Sequence, residues 1–338
     1  MKVDKYIINW LNISLIAVFL MILIGGITRL TDSGLSITTW KPVTGILPPL
    51  NQHEWEISFN NYKEIAEYKV YNSQMSLKEY KSIYFWEYVH RMLGRIIGLL
   101  FFFPFVYFYK KKYFNKEYLM KFLFLFFIGL LQGFMGWYMV QSGLSDLPDI
   151  SHLRLSVHLL LALIIIGYIY WIKLSLLRLQ DNKVNNFIFY NKFINLILFV
   201  LVVQIIYGAF TAGLKAGQFW NTYPIINGVV FPESVFSLKP FWKNFLYHNE
   251  TIQIIHRNLP IVITILMIVF SYKINRESLN NTLYSNIIIM NLFLFFQFIL
   301  GILTLITKVS IVLAISHQFL AIVLFVSILK TKHSLRFR

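Results

Sequence analysis

The sequence has 338 residues, of which 57% are hydrophobic, 18% aromatic and only 14% charged. Soluble globular proteins carry about 25% charged residues, so the composition excludes that class and indicates a protein embedded in lipid. The formal net charge is +16, but Lys and Arg lie in short connections between apolar runs, which argues against a nucleic-acid partner. Cysteine is absent, so disulfides, thiolate ligands and thiol-attached cofactors are excluded.

Eight apolar runs recur along the chain, each long enough to cross a hydrocarbon core of about 30 Å as a helix. A helix is expected because every backbone hydrogen bond must close internally in lipid. The sequence therefore predicts an all-α integral membrane protein with eight transmembrane helices. Their approximate ranges are 8–30, 85–109, 119–140, 152–174, 193–214, 252–272, 283–306 and 311–329. The first run lacks a signal-peptide cleavage site, so we expect an uncleaved helix.

Basic residues mark every second connection between these runs. They occur at Lys110–Lys112, in the segment 178–192, at Lys273 and Arg276, and in the C-terminal tail. Because short cytoplasmic loops carry an excess of Lys and Arg, we predict that both termini are cytoplasmic. The expected location is the cell inner membrane, crossed many times.

The connections on the opposite side alternate long, short, long, short, which suggests a duplication. A gap-free alignment pairs Gly25 with Gly208, Thr28 with Thr211, Gly34 with Gly217, Thr39 with Thr222, Gly45 with Gly228 and Pro49 with Pro232. Further pairs are His90-Arg91 with His256-Arg257, Gln132 with Gln297, and Gly136 with Gly301. We therefore predict two tandem-repeated four-helix bundles, residues 1–177 and 178–338, in the same orientation. Chance similarity among apolar helices is the alternative.

Four of the eight histidines fall inside predicted helices, at matching positions of the two halves: His90, His158, His256 and His317. A single helical histidine is more often a core residue, but polar side chains at membrane depth are costly and usually functional. Two imidazoles on opposing helices of an apolar slot are the axial ligands that an iron porphyrin takes, whereas zinc needs four converging ligands. The pattern predicts one haem iron between His90 and His158 and another between His256 and His317.

Glu87 lies three residues before His90 and four before Arg91, so all three share one helical surface. The matching residue of the second half is Gln253, which cannot ionise. This asymmetry indicates an acid or base beside the first haem only, although a simple Glu87–Arg91 ion pair is the alternative. Arg91 and Arg257 are candidates for binding haem propionates; anchoring helix ends to lipid headgroups is the other interpretation.

Several motifs carry a family resemblance. They are GGITRLTDSGLS at residues 25–36, WKPVTGILPP at 40–49, WEYVHRMLGR at 86–95, QGFMGW at 132–137 and AGLKAG at 212–217. Through these motifs the chain resembles the haem A synthase family over nearly its whole length. Because it lacks the outer-loop cysteine pair of some members, it is similar to the mitochondrial and alphaproteobacterial type.

The resemblance implies an eight-helix enzyme that oxidises the C8 methyl group of haem O to a formyl group. Two hydroxylations and the loss of water would give haem A for terminal oxidases. It also implies that His90 and His158 frame the haem O substrate, with Glu87 as the catalytic carboxylate, while His256 and His317 bind a haem b cofactor. A haem O synthase, an unidentified electron donor and a second copy of the chain are the protein partners that the sequence leaves open.

Two other functions stay open at this point. A di-haem cytochrome b-type quinol oxidoreductase would leave both haems unaltered, but an electron conduit gives no reason for a carboxylate beside one haem alone. A haem carrier or transporter would use the duplication for alternating access. Against a transporter, broken helices are scarce, since Pro104 and Pro260 are the main interior prolines.

Overall fold

The computed structural model of the chain describes residues 5–40, 45–144, 148–177, 184, 186–226, 228–277 and 281–335. Within these ranges it contains eleven α-helices and one isolated β-bridge between Ile226 and Val229. The helices are α1 Lys5–Leu30, α2 Gln52–Lys63, α3 Ala66–Tyr71, α4 Leu77–Lys110, α5 Lys116–Gly143, α6 His152–Leu177, α7 Phe187–Gly213, α8 Asn244–Tyr247, α9 Asn249–Ile274, α10 Asn281–Ile306 and α11 Ile311–Ser334.

Eight of these helices are long and apolar enough to cross a membrane: α1, α4, α5, α6, α7, α9, α10 and α11. The predicted all-α class with eight transmembrane helices is therefore confirmed. The predicted tandem duplication is compatible with this arrangement and stays an interpretation.

The second membrane helix begins earlier than the sequence predicted. Ser76 caps α4, since its hydroxyl accepts from the Glu79 amide while the Glu79 carboxylate accepts from the Ser76 amide, a capping box that fixes a helix start. The first turns of α4 are amphipathic and bury Tyr80 and Tyr84. The sequence-based prediction began at residue 85 because amphipathic turns do not form a continuous apolar run.

The long connection before α4 forms a small layer of its own, which the sequence did not predict. Helices α2 and α3 cover the start of α4 through an outer aromatic cluster, formed by Phe59, Tyr62, Tyr80 and Tyr84. Phe59 stacks on Tyr80 with ring centroids 4.9 Å apart. The Tyr80 hydroxyl donates to the Ser36 carbonyl at 3.1 Å, so the cluster fixes the loop that follows α1.

Pro104 lies inside α4, where it removes the amide that would bond the carbonyl four residues earlier. The freed carbonyl is that of Leu100. The indole Nε1 of Trp10, on α1, donates to it at 3.1 Å. Helix α4 therefore stays continuous through the proline because a neighbouring helix supplies the missing donor.

The chain divides into two compact units, Met1–Ile166 and Gly167–Arg338, with the boundary inside α6. In the first unit α1 packs along α4; in the second α7 packs on α9 and α10 on α11. The boundary at residues 177 and 178, which separates the two copies suggested by the sequence repeat, stays a prediction.

Candidate functional site

His256 on α9 and His317 on α11 face each other in the second unit. Their ring centroids are 6.4 Å apart and their ring planes make an angle of 89°. A metal–imidazole bond is about 2 Å long and the ring centre lies about 1 Å further on, so one iron bonded to both rings would hold the centroids about 6 Å apart. The residues present therefore fit a haem iron with two imidazole ligands.

His90 on α4 and His158 on α6 form the corresponding set in the first unit. The Nδ1 atoms of both rings are buried and have no hydrogen-bond partner among the described residues. The amide Nε2 of Gln132 lies 3.3 Å from Nε2 of His158.

Each of the four rings rests against a glycine of a neighbouring helix. A Cβ added to the glycine would lie close to the ring Cε1 atom: 3.0 Å for Gly25 and His90, 3.1 Å for Gly136 and His158, 2.9 Å for Gly208 and His256, and 2.9 Å for Gly301 and His317. Packed interiors do not absorb such overlap without displacing the side chain. The glycines therefore set how closely each histidine helix approaches its neighbour.

Hydrogen bonds orient His256 further. Its Nδ1 atom lies 3.2 Å from the carbonyl oxygen of Gln204 on α7. A carbonyl can only accept, so Nδ1 carries the proton and Nε2 keeps its lone pair. That lone pair is what a metal ligand requires.

Glu87 is 3% exposed and is surrounded by donors. Its Oε2 accepts from the Ser36 hydroxyl and the Ile37 amide, both at 2.7 Å. Its Oε1 accepts from Nη2 of Arg91 at 2.6 Å and from Nε of Arg91 at 3.0 Å. The ion pair considered as the simpler role is therefore present, and the four acceptor positions of an ionised carboxylate are filled.

Arg91 and Arg257 bind the outer loops in matching ways. Arg91 donates to the carbonyls of Ile37 and Thr39, and Arg257 to those of Thr222 and Pro224, at 2.7–3.3 Å. Nη1 of Arg257 is buried and lacks a hydrogen-bond partner within the described part of the chain. Arg257 therefore retains a donor that a carboxylate such as a haem propionate would satisfy.

Comparisons with known proteins show the family of the chain. Residues 8–329 match the family described as cytochrome oxidase assembly protein. The chain is 40% identical over 339 residues to the heme A synthase of Nitrosospira multiformis, a match that covers 99% of this chain and 94% of that protein. It is 40% identical to the heme A synthase of Flavobacterium johnsoniae over 99% of both chains, and 41% identical to that of Pelagibacter ubique over 93% of this chain and 92% of that protein. The chain belongs to the haem A synthase family.

In this member of the haem A synthase family, Gln253 is the residue of the second half that matches Glu87, and its contacts show the structural role of that position. Gln253 is 1% exposed, and its Nε2 donates to the carbonyls of Ala216 and Trp220 at 3.0 and 3.1 Å. Both side chains thus tie an outer loop to a helix, one as an acceptor and the other as a donor.

Sequence reasoning missed several residues of the site. Ser36, Ile37 and Gln204 contact Glu87 or His256, yet each looks ordinary in the sequence. Gly136 and Gly301 entered the sequence analysis as repeat matches, and Gly136 also as part of a family motif, but neither was predicted to contact a histidine. A signal did exist for the glycines, because they recur at matching positions of helices that flank the histidines.

Proposed function

We propose that this chain is a haem A synthase, a multi-pass membrane oxidoreductase that converts haem O into haem A. Sequence identity of about 40% to proteins of that name over nearly the whole chain supports the activity. The structural observation that carries it is the facing pair of His256 and His317, whose spacing fits one iron.

The second unit is proposed to hold haem b between His256 and His317. When bound, haem b would supply single-electron transfer. Gly208 and Gly301 fix the two rings by close packing. The unpartnered Nη1 of Arg257 is available for a propionate.

The first unit is proposed to receive haem O between His90 and His158, with Glu87 as the catalytic carboxylate. Since four donors fill the acceptor positions of Glu87, a proton reaches it only if one donor yields. The Ser36 hydroxyl can donate and accept, so it can relay a proton to Oε2: as its oxygen accepts a proton from a water molecule or a substrate hydroxyl, its own proton moves to Glu87. Arg91 meanwhile stabilises the ionised form.

The cell inner membrane, with both termini in the cytoplasm, is the proposed location. Support comes from the basic connections at one set of helix ends. A haem O synthase as supplier, a separate electron donor and self-association belong to the same proposal.

The test is production of the chain in a host that makes haem O but no haem A. Extracted pigments are then separated and weighed. We expect a haem that has gained one oxygen and lost two hydrogens relative to haem O, and none in cells carrying the empty vector. Unchanged haem in cells containing the protein would instead favour the quinol oxidoreductase or the carrier.

A second measurement concerns the cofactor. His256→Ala removes one of the two residues that would hold the haem iron, so it should abolish the haem b spectrum of the purified protein. An unchanged absorption spectrum would contradict the assignment of His256.

A further inference from the structure

Pro260 lies in α9, four residues after His256. Because proline has no amide hydrogen, the His256 carbonyl loses its helical partner. Gln204 on α7 replaces that partner, since its side-chain Nε2 donates to the His256 carbonyl at 2.9 Å. The backbone carbonyl of Gln204 in turn accepts from Nδ1 of His256 at 3.2 Å. We call this reciprocal arrangement of Gln204, His256 and Pro260 the His256 clamp.

The first half has different residues at the matching positions. The alignment that pairs Gly25 with Gly208 places Met21 opposite Gln204, and the one that pairs His90 with His256 places Gly94 opposite Pro260. Gly94 has an amide hydrogen, so the His90 carbonyl keeps the partner that an α-helix provides. A thioether cannot donate in any case.

The ring of His90 is correspondingly less constrained. Its Nδ1 atom is buried without a hydrogen-bond partner among the described residues, and the ring is held by packing against Gly25. The two histidines thus occupy matching positions but differ at Nδ1. The Nδ1 atom of His256 has a carbonyl acceptor, whereas that of His90 has none among the described residues.

The difference matters for ligand strength. An acceptor on the nitrogen opposite the metal fixes the tautomer and the ring orientation and makes the imidazole a stronger donor. Loss of such a partner typically costs about 10–100-fold in metal affinity. The clamp therefore favours retention of the haem on His256, while its absence favours exchange on His90.

We propose that the His256 clamp makes His256 a permanent haem ligand, whereas His90 is the displaceable ligand of the substrate haem. The inference rests on the proposed function, which requires one haem to stay and the other to enter and leave in every catalytic cycle. Gln204 is a positioning residue in this scheme, since it acts on the iron through His256.

The test transplants the first-half residues into the second half. In the double variant Gln204→Met with Pro260→Gly, the new glycine amide restores the helical partner of the His256 carbonyl, so that no buried acceptor is orphaned. The backbone carbonyl of residue 204 remains, but the side-chain hydrogen bond that joins α7 to α9 beside it is lost. We therefore expect the 3.2 Å contact of that carbonyl with Nδ1 of His256 to lengthen. The purified holoprotein is mixed with excess apomyoglobin, and transfer of haem b is followed by absorbance. We expect haem loss about tenfold faster than in the unmodified protein, together with carbon monoxide binding to the reduced haem.

Asn291→Leu is the matched control. It removes an amide hydrogen bond of 2.8 Å to Ser271, which likewise joins two helices, α10 and α9, of the second unit. Within the described part of the chain, neither residue forms a hydrogen bond with a histidine. We expect its haem-loss rate to stay within about twofold of the unmodified rate, because the contact between Nδ1 of His256 and the Gln204 carbonyl is unchanged.

The reciprocal change is Met21→Gln with Gly94→Pro, which should slow release of haem from the first site. Were the first double variant not to fold, the single change Pro260→Gly gives the same haem-loss readout, because its amide competes with Gln204 for the His256 carbonyl and no acceptor is orphaned. A haem-loss rate like that of the control, without carbon monoxide binding, would overturn the clamp while leaving the proposed function intact. If His256→Ala retains a normal haem spectrum, the proposed function itself fails.

Discussion

Glu87 and Gln253 occupy matching places on α4 and α9, and both tie an outer loop to the helix. Glu87 does so by accepting from the loop residues Ser36 and Ile37, whereas Gln253 donates to loop carbonyls. Since an uncharged amide fulfils the structural task in the second half, that task does not explain a carboxylate in the first. The carboxylate of the first half is instead explained by its charge and by its capacity to take up a proton.

Glu87→Gln should therefore uncouple haem binding from chemistry. The side chain keeps its size but cannot ionise, so we expect bound haem at the unmodified level and product formation reduced about a hundredfold or more. The measurement is the ratio of haem A to haem O in extracted pigment, with the haem b spectrum as a check on folding. Undiminished product would rule out an acid or base role for Glu87.

The contact between Gly301 and His317 gives a second prediction at this scale. In Gly301→Ala the new methyl group would meet the His317 ring at 2.9 Å, so the ring must move and the haem b absorption and redox spectra should change. Gly133→Ala is the control, because a Cβ there has no neighbour within 4 Å. We expect that control to be neutral or slightly stabilising, as helix interiors favour alanine over glycine by about 0.5–1 kcal/mol. Identical spectra for the two variants would contradict the packing argument.

At the scale of elements, the membrane helices depend on side chains from their neighbours, and α2 and α3 depend on a buried acid. Trp10 on α1 satisfies the carbonyl that Pro104 frees in α4. Glu67 on α3 is 6% exposed and accepts from the Tyr62 hydroxyl at 2.7 Å, while Asn72 donates to that same hydroxyl. The first contact stabilises α4 at its interior proline, and the second stabilises α2 and α3, which apolar periodicity did not predict.

Trp10→Phe should weaken α4 by leaving the Leu100 carbonyl without a partner, at a cost of about 1–3 kcal/mol. Pro104→Ala restores a helical amide for that carbonyl, so the same tryptophan change should cost less in the Pro104→Ala background. Thermal unfolding of the four proteins in detergent gives the coupling energy. Equal costs in both backgrounds would show that Trp10 contributes by ring packing alone.

Glu67 makes the outer layer sensitive to pH. Burial raises the pKa of Glu67 to about 8 from its ordinary 4.5, against the hydrogen bond from Tyr62 and with help from the charges of Asp32, Glu87 and Asp149. Between these two values the folded protein binds the proton more strongly than the unfolded chain, so stability falls as pH rises from about 4.5 to about 8.

The corresponding variant is Glu67→Gln, which keeps an acceptor for Tyr62 and cannot ionise. We expect resistance of the segment 52–71 to proteolysis to decline from pH 5 to pH 8 in the unmodified protein and to stay level in the variant. A parallel decline in both proteins would remove Glu67 as the cause.

At the scale of the whole molecule, apolar run length predicted all eight membrane helices. The assignment of four histidines as haem ligands stays a prediction, and the structure places His256 close to His317 as that prediction requires. The amphipathic turns at residues 77–84 and the helices α2 and α3 were missed, because their burial depends on one another rather than on lipid. Gln204 was missed because its role follows from a proline on another helix. The contacts of Arg91 and Arg257 with loop carbonyls could not be predicted, because every residue has a backbone carbonyl and the sequence does not indicate which one an arginine binds.

The absence of cysteine offers a direct test of the proposed topology. A single cysteine replacing Gln52, at the start of α2, should react with a membrane-impermeant maleimide in intact spheroplasts. One replacing Lys111, after α4, should react only once the membrane is permeabilised, because positive connections face the cytoplasm. Labelling of the Lys111 variant in intact cells would reverse the assigned orientation.

The four contacts between imidazoles and glycines have an evolutionary consequence. Every amino acid other than glycine carries a Cβ, which would lie 2.9–3.1 Å from the imidazole, so any substitution at Gly25, Gly136, Gly208 or Gly301 requires the ring to shift. A lineage that abandoned one of the ligands would release its glycine from this restriction. Histidine and glycine should therefore be lost together. A relative that lacks one of these histidines should also carry a larger residue at the matching glycine of the neighbouring helix.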